Sequence, residues 1–347
     1  MGSGRGRRVL HTAEAVTYWA AAAPVLARLP AAIGYRAACR RGDWQWRQQP
    51  AKRAELARNL QQVLNVSAGQ ELAREWFRQA SCTALDIRRL RGNAQALRRL
   101  VEIRGQEHLD AALAGGRGAI VCSAHYGSFD SGFSILGAVG YPVTTIGRWQ
   151  HNFTAGLSAA ERRFWDRVYA RPLRRHRHRP NIEPWAGRYD VALQAAKTLR
   201  AGEVLTIAID APLLDSDQDR AAEVPFLGGQ ARLLPGAVAI ARLTGAPVLM
   251  AFMHRCADYR HQVLEISAPV PMDGEPLAAF SRCAAAVSEA IASDPAPWRY
   301  WASTADLINL GLVPAAPETV PAPGTLRLVD IGALEDREKG SGIGQPA

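Results

Sequence analysis

Four short apolar runs, separated by stretches with helical periodicity, most constrain the fold of this 347-residue chain. They are Gly118–Ala124, Tyr141–Ile146, Val204–Ile209 and Pro247–Phe252. Each run is short and apolar throughout, as expected of a strand buried on both faces. Helical patterns lie between them, for example at 190–200 and 235–243. Strands that alternate with helices form a mainly parallel sheet flanked by helices, so we predict an α/β fold.

The composition divides the chain into three parts. Residues 1–100 are rich in Ala, Leu, Arg and Gln, and apolar residues such as Leu56 and Leu60 recur at helical spacing. The alternating runs fill residues 101–311, which we predict to be the α/β core. Residues 312–347 are rich in Pro, Gly and Glu with little apolar periodicity, which is typical of a disordered tail.

The apolar stretch from Ala15 to Ala27 follows an Arg-rich start. Pro24 and Pro30 interrupt any run long enough to span a bilayer. Trp19 lies among small apolar residues, a pattern typical of a segment in the membrane interface. We therefore predict that residues 1–100 form a helical, membrane-interfacial segment. A core helix and a cleaved signal peptide remain as alternatives for this stretch.

The net charge is +10, and Arg supplies nearly all of the positive charge because Lys occurs only at 52, 197 and 339. The planar guanidinium of Arg binds phosphate and carboxylate through two hydrogen bonds. The charge therefore indicates an anionic partner such as phospholipid headgroups or a phosphorylated cofactor. A solvated basic surface in an Arg-rich proteome is the alternative. Nucleic acid is not expected, since no nucleic-acid-binding motif is present.

Cysteine and histidine residues do not show metal-binding or disulfide patterns. The five Cys lack any CxxC spacing, so we expect reduced thiols in a cytoplasmic compartment. The basic stretch from Arg162 to Arg179 contains His176 and His178, but no carboxylate or Cys pattern completes a metal site there. We interpret this stretch as a solvated basic loop or a phosphate-facing surface, and we predict no metal.

The segment AHYGSFD places His125 directly after a predicted strand, with Asp130 five residues further on. If a helix begins near Gly127, Asp130 lies within its first turn and can reach back to the imidazole. This arrangement suits a general base that removes a proton from a hydroxyl. The helix N-terminus would add free N–H groups and a positive dipole. The spacing alone is weak, because a structural His at a strand end gives the same pattern.

The blocks around this motif resemble a known family. They are Gly105 to Leu109 before the strand, and then Leu199–Asp210 (LRAGEVLTIAID), Val224–Gly228 (VPFLG), Leu234–Val248 (LPGAVAIARLTGAPV) and Trp298 near Pro295. In this order they resemble bacterial lipid A late acyltransferases and the related phosphatidylinositol mannoside acyltransferases, of the lysophospholipid acyltransferase superfamily. The resemblance covers roughly residues 15–310 and implies a glycerol-phosphate acyltransferase-like fold.

The resemblance also implies roles for single residues. By position, His125 becomes the catalytic base and Asp130 its orienting partner. Arg148 and Arg167 match basic positions that bind phosphate or the oxyanion, and donors aimed at developing charge are usually a large catalytic term. For both arginines, a plain surface residue is the alternative.

Two further positions are implied to bind substrate. Asp210 matches the aspartate that ends the third predicted strand, with helix capping as the alternative. Gly228 allows either close backbone approach to a substrate or a turn. The chain also departs from the family, which usually has Asn-Trp where Ser128 and Phe129 stand and Gln or Arg in place of Ala211. These departures leave the acceptor open.

We therefore predict transfer of a fatty acyl chain from an acyl thioester to a hydroxyl of a glycolipid or lysolipid. The donor would be an acyl carrier protein or coenzyme A thioester, and no metal or redox cofactor is implied. The fatty chain would occupy an apolar cleft between the core and the N-terminal helices. We expect the protein at the cytoplasmic face of the inner membrane, peripheral or monotopic. Thioester hydrolysis and a non-catalytic basic protein that binds membranes or polyanions are the alternatives.

Overall fold

The computed structural model describes residues 16–92, 94–147, 158–184, 188–213 and 215–314. Contacts group the chain into two units, Met1–Val313 and Pro314–Ala347, and Pro314 alone of the second is described. Most of the predicted tail and the Arg-rich start therefore lie outside the described residues. The same is true of Arg148.

A six-stranded sheet in the order β1-β8-β7-β2-β4-β3 forms the centre, and β5 and β6 form a separate hairpin. The strands are β1 (Val101–Arg104), β2 (Ala119–Ser123), β3 (Val143–Ile146), β4 (Val204–Ala208), β5 (Ala222–Phe226), β6 (Gly229–Leu233), β7 (Val248–Arg255) and β8 (Gln262–Ile266). Strands β7, β2, β4 and β3 are parallel, whereas β8 is antiparallel to β7 and parallel to β1. The predicted α/β class with a mainly parallel sheet is confirmed.

Helices lie before the sheet in sequence and between its strands. They are α1 (Ala23–Arg28), α2 (Ala31–Gln48), α3 (Pro50–Leu64), α4 (Gly69–Gly92), α5 (Ala94–Arg98), α6 (Gln106–Ala114), α7 (Phe129–Ala138), α8 (Ala159–Trp165), α9 (Arg171–Arg174), α10 (Arg188–Arg200), α11 (Gly236–Thr244), α12 (Pro276–Ser293) and α13 (Thr304–Asn309). Two π-helical turns, Tyr18–Ala22 and Asp166–Ala170, precede α1 and follow α8. Among the described helices, none combines the length and apolar character needed to cross a bilayer.

Strand β2 is buried along its whole length because both faces of the sheet are covered. Successive side chains of a strand point to opposite faces, so Ile120 belongs to one apolar cluster and Val121 to the other. The first cluster also contains Leu56 and Phe77 from α3 and α4. The N-terminal helices therefore share a hydrophobic core with the sheet, while the boundary predicted near residue 100 stays a prediction.

The carboxyl ends of the neighbouring strands β2 and β4 lie side by side. Their register pairs Ser123, the last residue of β2, with Ala208, the last residue of β4. In open α/β sheets, ligands bind beyond the carboxyl ends of parallel strands. These strand ends are therefore where a site is expected.

Candidate active site

His125 and Asp210 are adjacent because each lies two residues beyond the end of one of these paired strands. The backbone N–H of His125 donates to both carboxylate oxygens of Asp210, at 3.0 Å to Oδ1 and 2.8 Å to Oδ2. The imidazole Nδ1 lies 2.7 Å from Oδ1 of the same carboxylate. Three contacts thus join the two residues across the strand ends.

The carboxylate of Asp210 is fully buried and receives one more donor. The indole Nε1 of Trp298 donates to Oδ2 at 2.8 Å. Because a carboxylate only accepts hydrogen bonds, Nδ1 of His125 carries its hydrogen and the lone pair lies on Nε2. Within the described part of the chain, no hydrogen bond uses Nε2 of His125. That nitrogen is therefore available as a proton acceptor.

Aromatic rings flank the imidazole of His125. The Phe129 ring lies 4.7 Å away and the Tyr300 ring 5.0 Å away, measured between ring centroids. The side chain of His125 keeps 18% of its surface exposed. The rings fix its orientation while leaving one edge open to solvent.

Among the described hydrogen bonds, the imidazole of His125 pairs with Asp210 and not with Asp130, whose role as the orienting partner stays a prediction. Asp130 lies in the first turn of α7, and its Oδ2 accepts a long hydrogen bond of 3.4 Å from the Tyr169 hydroxyl. Burial raises the pKa of Tyr169, and the charge on Asp130 adds to this. Strand pairing places Asp210 beside His125, whereas the turn of α7 directs Asp130 toward Tyr169. A catalytic contribution of Asp130 stays a prediction.

Gly127 makes the sharp turn between β2 and α7. Its φ is +58°, and a Cβ at this position would lie 2.1 Å from the carbonyl oxygen of Met253. Its N–H donates to the Pro297 carbonyl at 3.1 Å, and the N–H of Arg299 donates to the His125 carbonyl at 3.0 Å. The turn that carries His125 is therefore held by the segment around Trp298 and accepts only glycine without a backbone shift.

Ser128 joins a buried polar network. Its hydroxyl donates to Oδ2 of Asp86 at 2.6 Å and accepts from the Arg255 guanidinium at 2.9 Å. Arg255 also donates to Asp86, as does the Tyr35 hydroxyl. Burial and the Asp86 charge raise the pKa of Tyr35. The network ties the start of α7 to α2, α4 and β7.

A cavity of about 340 Å³ lies beside His125, between the N-terminal helices and the α/β core. Its apolar lining consists of Trp19, Trp76, Phe77, Ala80, Ala84, Ile87, Phe129, Ala296 and Pro297. Its polar lining consists of Arg41, Gln45, Gln49, Lys52, Gln79, Thr83, Gly127, Asp130, Tyr169 and Arg299. The volume falls within the usual range of small-molecule sites. The cavity is amphipathic and reaches the proton-accepting imidazole.

Of the two arginines predicted to bind phosphate or the oxyanion, only Arg167 is among the described residues. Arg148 lies outside the described residues. Arg167 is exposed and lines a separate cavity of about 310 Å³ with three further arginines, Arg91, Arg171 and Arg175. Its predicted substrate contact stays a prediction.

The basic stretch from Arg162 to Arg179 is partly paired rather than fully solvated. Asp166 forms ion pairs with Arg171 and Arg174, and the Arg179 guanidinium pairs with the buried Glu203. Among the described side chains, no group of three or more His, Cys, Asp or Glu could hold a metal ion.

Gly228 lies in the two-residue turn between β5 and β6, where Phe226 pairs with Gly229. Its φ is +80°, and no atom lies within 4 Å of the position that a Cβ would take. This geometry favours the turn as the reason for glycine, and a contact with substrate stays a prediction.

Three features of the site were not predicted from the sequence. They are the pairing of Asp210 with His125, the hydrogen bond from Trp298 to Asp210, and the presence of Lys52 and Arg299 in the lining of the cavity. The strand ends were a usable signal for the first, since both residues follow predicted strands. The rarity of Lys was a signal for Lys52.

Comparison with known proteins shows the family to which the chain belongs. The family model for bacterial lipid A biosynthesis acyltransferase matches residues 3–302, which include the N-terminal helices, His125, Asp210 and Trp298. No curated protein was found to match the chain. The resemblance predicted from the sequence blocks is confirmed, and the protein is an acyltransferase. The chain belongs to the bacterial lipid A biosynthesis acyltransferase family.

Proposed function

We propose that this protein transfers a fatty acyl chain from an acyl thioester to a hydroxyl of a glycolipid or lysolipid, with His125 as the general base. The observation that supports this best is the 2.7 Å contact between Nδ1 of His125 and the buried carboxylate of Asp210. It fixes the tautomer in which Nε2 accepts a proton. His125 lines the cavity of about 340 Å³, which forms the proposed active-site cleft.

In this mechanism, Nε2 of His125 takes the proton from the acceptor hydroxyl as its oxygen attacks the thioester carbonyl carbon. The new carbon–oxygen bond forms a tetrahedral intermediate, which collapses by breaking the carbon–sulfur bond. His125 then returns the proton to the departing thiolate. Asp210 stabilises the imidazolium present between the two transfers.

Negative charge develops on the carbonyl oxygen during the attack. The first N–H groups of α7 have no acceptor within the helix, and the positive end of its dipole lies next to His125. Arg299 adds a cation to the same cleft. We propose these groups as donors to the oxyanion, and Arg148 remains a predicted contributor.

The cleft supports binding of an acyl chain, because its Trp, Phe, Ile and Ala side chains form an apolar wall. The donor would be an acyl carrier protein or coenzyme A thioester, and no metal or redox group enters the reaction.

A membrane surface at the cytoplasmic face of the inner membrane would supply the acceptor. Two exposed apolar side chains support such a surface, namely Val25 on α1 at 58% exposure and Ile33 on α2 at 52%. Exposed arginines Arg28 and Arg36 lie beside them in sequence, and basic residues near apolar ones favour an anionic lipid interface.

The test is an acyl-transfer assay with purified protein, palmitoyl-coenzyme A or palmitoyl-carrier protein, and inner-membrane lipid from cells that lack the protein. Mass spectrometry would detect lipids heavier by one acyl group. We expect His125→Ala to abolish this product. His261→Ala is the matched control, since His261 also pairs through Nδ1 with a carboxylate, at 2.6 Å from Asp258, but is exposed outside the cleft.

Full product formation by His125→Ala would overturn the mechanism. Free palmitate as the main product of the wild type, even with lipid present, would instead show thioester hydrolysis.

A further inference from the structure

The cleft has two chemically different ends. One face of α4 lines it from Trp76 to Ile87, and eleven residues of helix span about 16 Å. At the Ile87 end, the lining includes Trp19, which belongs to the same apolar cluster. At the Trp76 end, the ammonium of Lys52 lies 4.9 Å from the centre of the indole ring. The ends therefore differ in how their cations are placed, because Lys52 lies at one end, whereas at the other Arg41 stacks on the Tyr18 ring next to Trp19.

Lys52 lacks a carboxylate partner. Among the described residues, none forms an ion pair or hydrogen bond with its ammonium. The nearest acidic residue along α3 is Glu55, whose Oε1 instead accepts from the N–H and the hydroxyl of Thr304, at 2.9 and 3.0 Å. Lys52 therefore feels the charge of Glu55 without a direct ion pair, and its ammonium faces the Trp76 ring in the lining of the cleft.

Arg299 adds a second positive charge to the same cleft. Burial lowers the pKa of Lys52, Glu55 opposes this, and repulsion from Arg299 lowers it further. Asp130 in the same lining favours the charged form of Arg299, so a bound anion would relieve the repulsion that Asp130 and Glu55 leave between Lys52 and Arg299. A phosphate fits this need, because it carries negative charge and presents several strong acceptor oxygens to a cation.

We propose that Lys52, supported by the positive charge of Arg299, binds a phosphate group of one of the two substrates. This inference rests on the proposed function and adds a recognition element to it. The phosphate belongs either to the acceptor lipid headgroup or to the phosphopantetheine or nucleotide part of the donor. Both sources present the same chemistry to Lys52, and paired probes separate them.

The experiment measures binding rather than turnover, with two pairs of probes that differ in phosphate. Lysophosphatidic acid and monoacylglycerol form the acceptor pair. Palmitoyl-4′-phosphopantetheine and palmitoyl-pantetheine form the donor pair, since they differ by one phosphate. We expect the wild type to bind the phosphate-bearing member of one pair about tenfold more tightly, as for one charge-assisted contact. The pair that shows the difference identifies the source.

Lys52→Gln should lose this difference and bind the phosphate-free members as the wild type does. Lys52→Arg should keep most of it, which separates loss of charge from loss of fold. Lys197→Gln is the matched control, since it removes the other described lysine, which is exposed on α10. Equal discrimination by Lys52→Gln and the wild type would overturn the inference, as would a wild type that binds both members of each pair equally.

The inference and the proposed function can fail separately. His125→Ala should keep the phosphate preference, because His125 is not part of the proposed contact. A protein that discriminates phosphate through Lys52 but transfers no acyl group would overturn the proposed function alone. A protein that transfers acyl groups without phosphate discrimination would overturn the Lys52 inference alone.

Discussion

Nδ1 of His125 lies 2.7 Å from Oδ1 of Asp210, although 85 residues separate the two along the chain. The contact arises because β2 and β4 are parallel neighbours in register, so the residues that follow them lie side by side. Asp130, only five residues from His125, instead contacts Tyr169. The imidazole is therefore oriented by strand pairing rather than by the helix that follows it.

Replacing Asp210 should reduce turnover more than replacing Asp130. Asp210→Asn keeps the side-chain volume but removes the charge that stabilises the imidazolium, so we expect kcat to fall by about 10² to 10⁴. Asp130→Asn should reduce kcat less, because Asp130 makes no hydrogen bond to His125. Steady-state transfer kinetics, together with thermal unfolding to confirm folding, would check this. An inactive Asp130→Asn beside an active Asp210→Asn would restore Asp130 as the orienting residue.

Trp298→Phe should lower kcat because Oδ2 of Asp210 loses its indole donor. Trp301→Phe is a matched control, since Trp301 is equally buried and its Nε1 donates to the Pro295 carbonyl at 2.7 Å. Both changes should cost about 1–3 kcal/mol in the free energy of unfolding. We expect only Trp298→Phe to reduce kcat, by about tenfold, which is the cost of one hydrogen bond of about 1.4 kcal/mol. Similar kcat values for both variants would argue against a role of Trp298 through Asp210.

Gly127→Ala should disturb the turn that carries His125. Its φ of +58° disfavours any side chain, and the new Cβ would lie 2.1 Å from the Met253 carbonyl oxygen. We expect loss of more than about 2 kcal/mol of stability together with loss of activity. Gly116→Ala tests the backbone contribution alone, because its φ is +72° but no atom lies within 4 Å of a Cβ there. That variant should cost about 1 kcal/mol and keep its activity. Equal losses of stability in Gly127→Ala and Gly116→Ala would show that the close approach to the Met253 carbonyl contributes little.

Asp43 should make the stability of the protein depend on pH in the acid range. Burial opposes the charged form, but hydrogen bonds from Arg74 and Arg78 outweigh it and lower the pKa of Asp43 to about 2. The folded pKa lies below the unfolded value of about 3.9, so the stabilisation is present above pH ~4 and is lost between pH ~4 and ~2. We expect Asp43 to contribute up to about 2 kcal/mol to the free energy of unfolding at neutral pH.

Urea unfolding between pH 2.5 and 6 would check the Asp43 prediction. Asp43→Asn should flatten the acid side of the stability curve. Glu102→Gln should change it less, because the Glu102–Arg104 pair is exposed and solvent screens it. An unchanged curve for Asp43→Asn would contradict the expected contribution.

The apolar runs predicted β2, β3, β4 and β7 to within a few residues, because strands buried on both faces show as continuous apolar segments. Strands β1, β5, β6 and β8 were missed. β1 and β8 mix polar and apolar residues, as in VEIR and QVLEI, because several of their side chains remain accessible. The hairpin strands β5 and β6 include Pro225 and three Gln, Arg or Glu side chains, so no apolar run marks them.

By itself, the sequence determined that strands and helices alternate, that His125 and Asp210 each follow a buried strand, and that the blocks occur in the order of an acyltransferase family. These features are local, because hydrophobic periodicity and residue spacing act over a few residues. Only the tertiary structure decided that β4, which follows β3 in sequence, lies between β2 and β3. Strand order depends on pairing between distant segments, and the pairing of β2 with β4 brings Asp210 to His125. Packing of other distant segments brings Trp298 to Asp210 and Lys52 to the cleft.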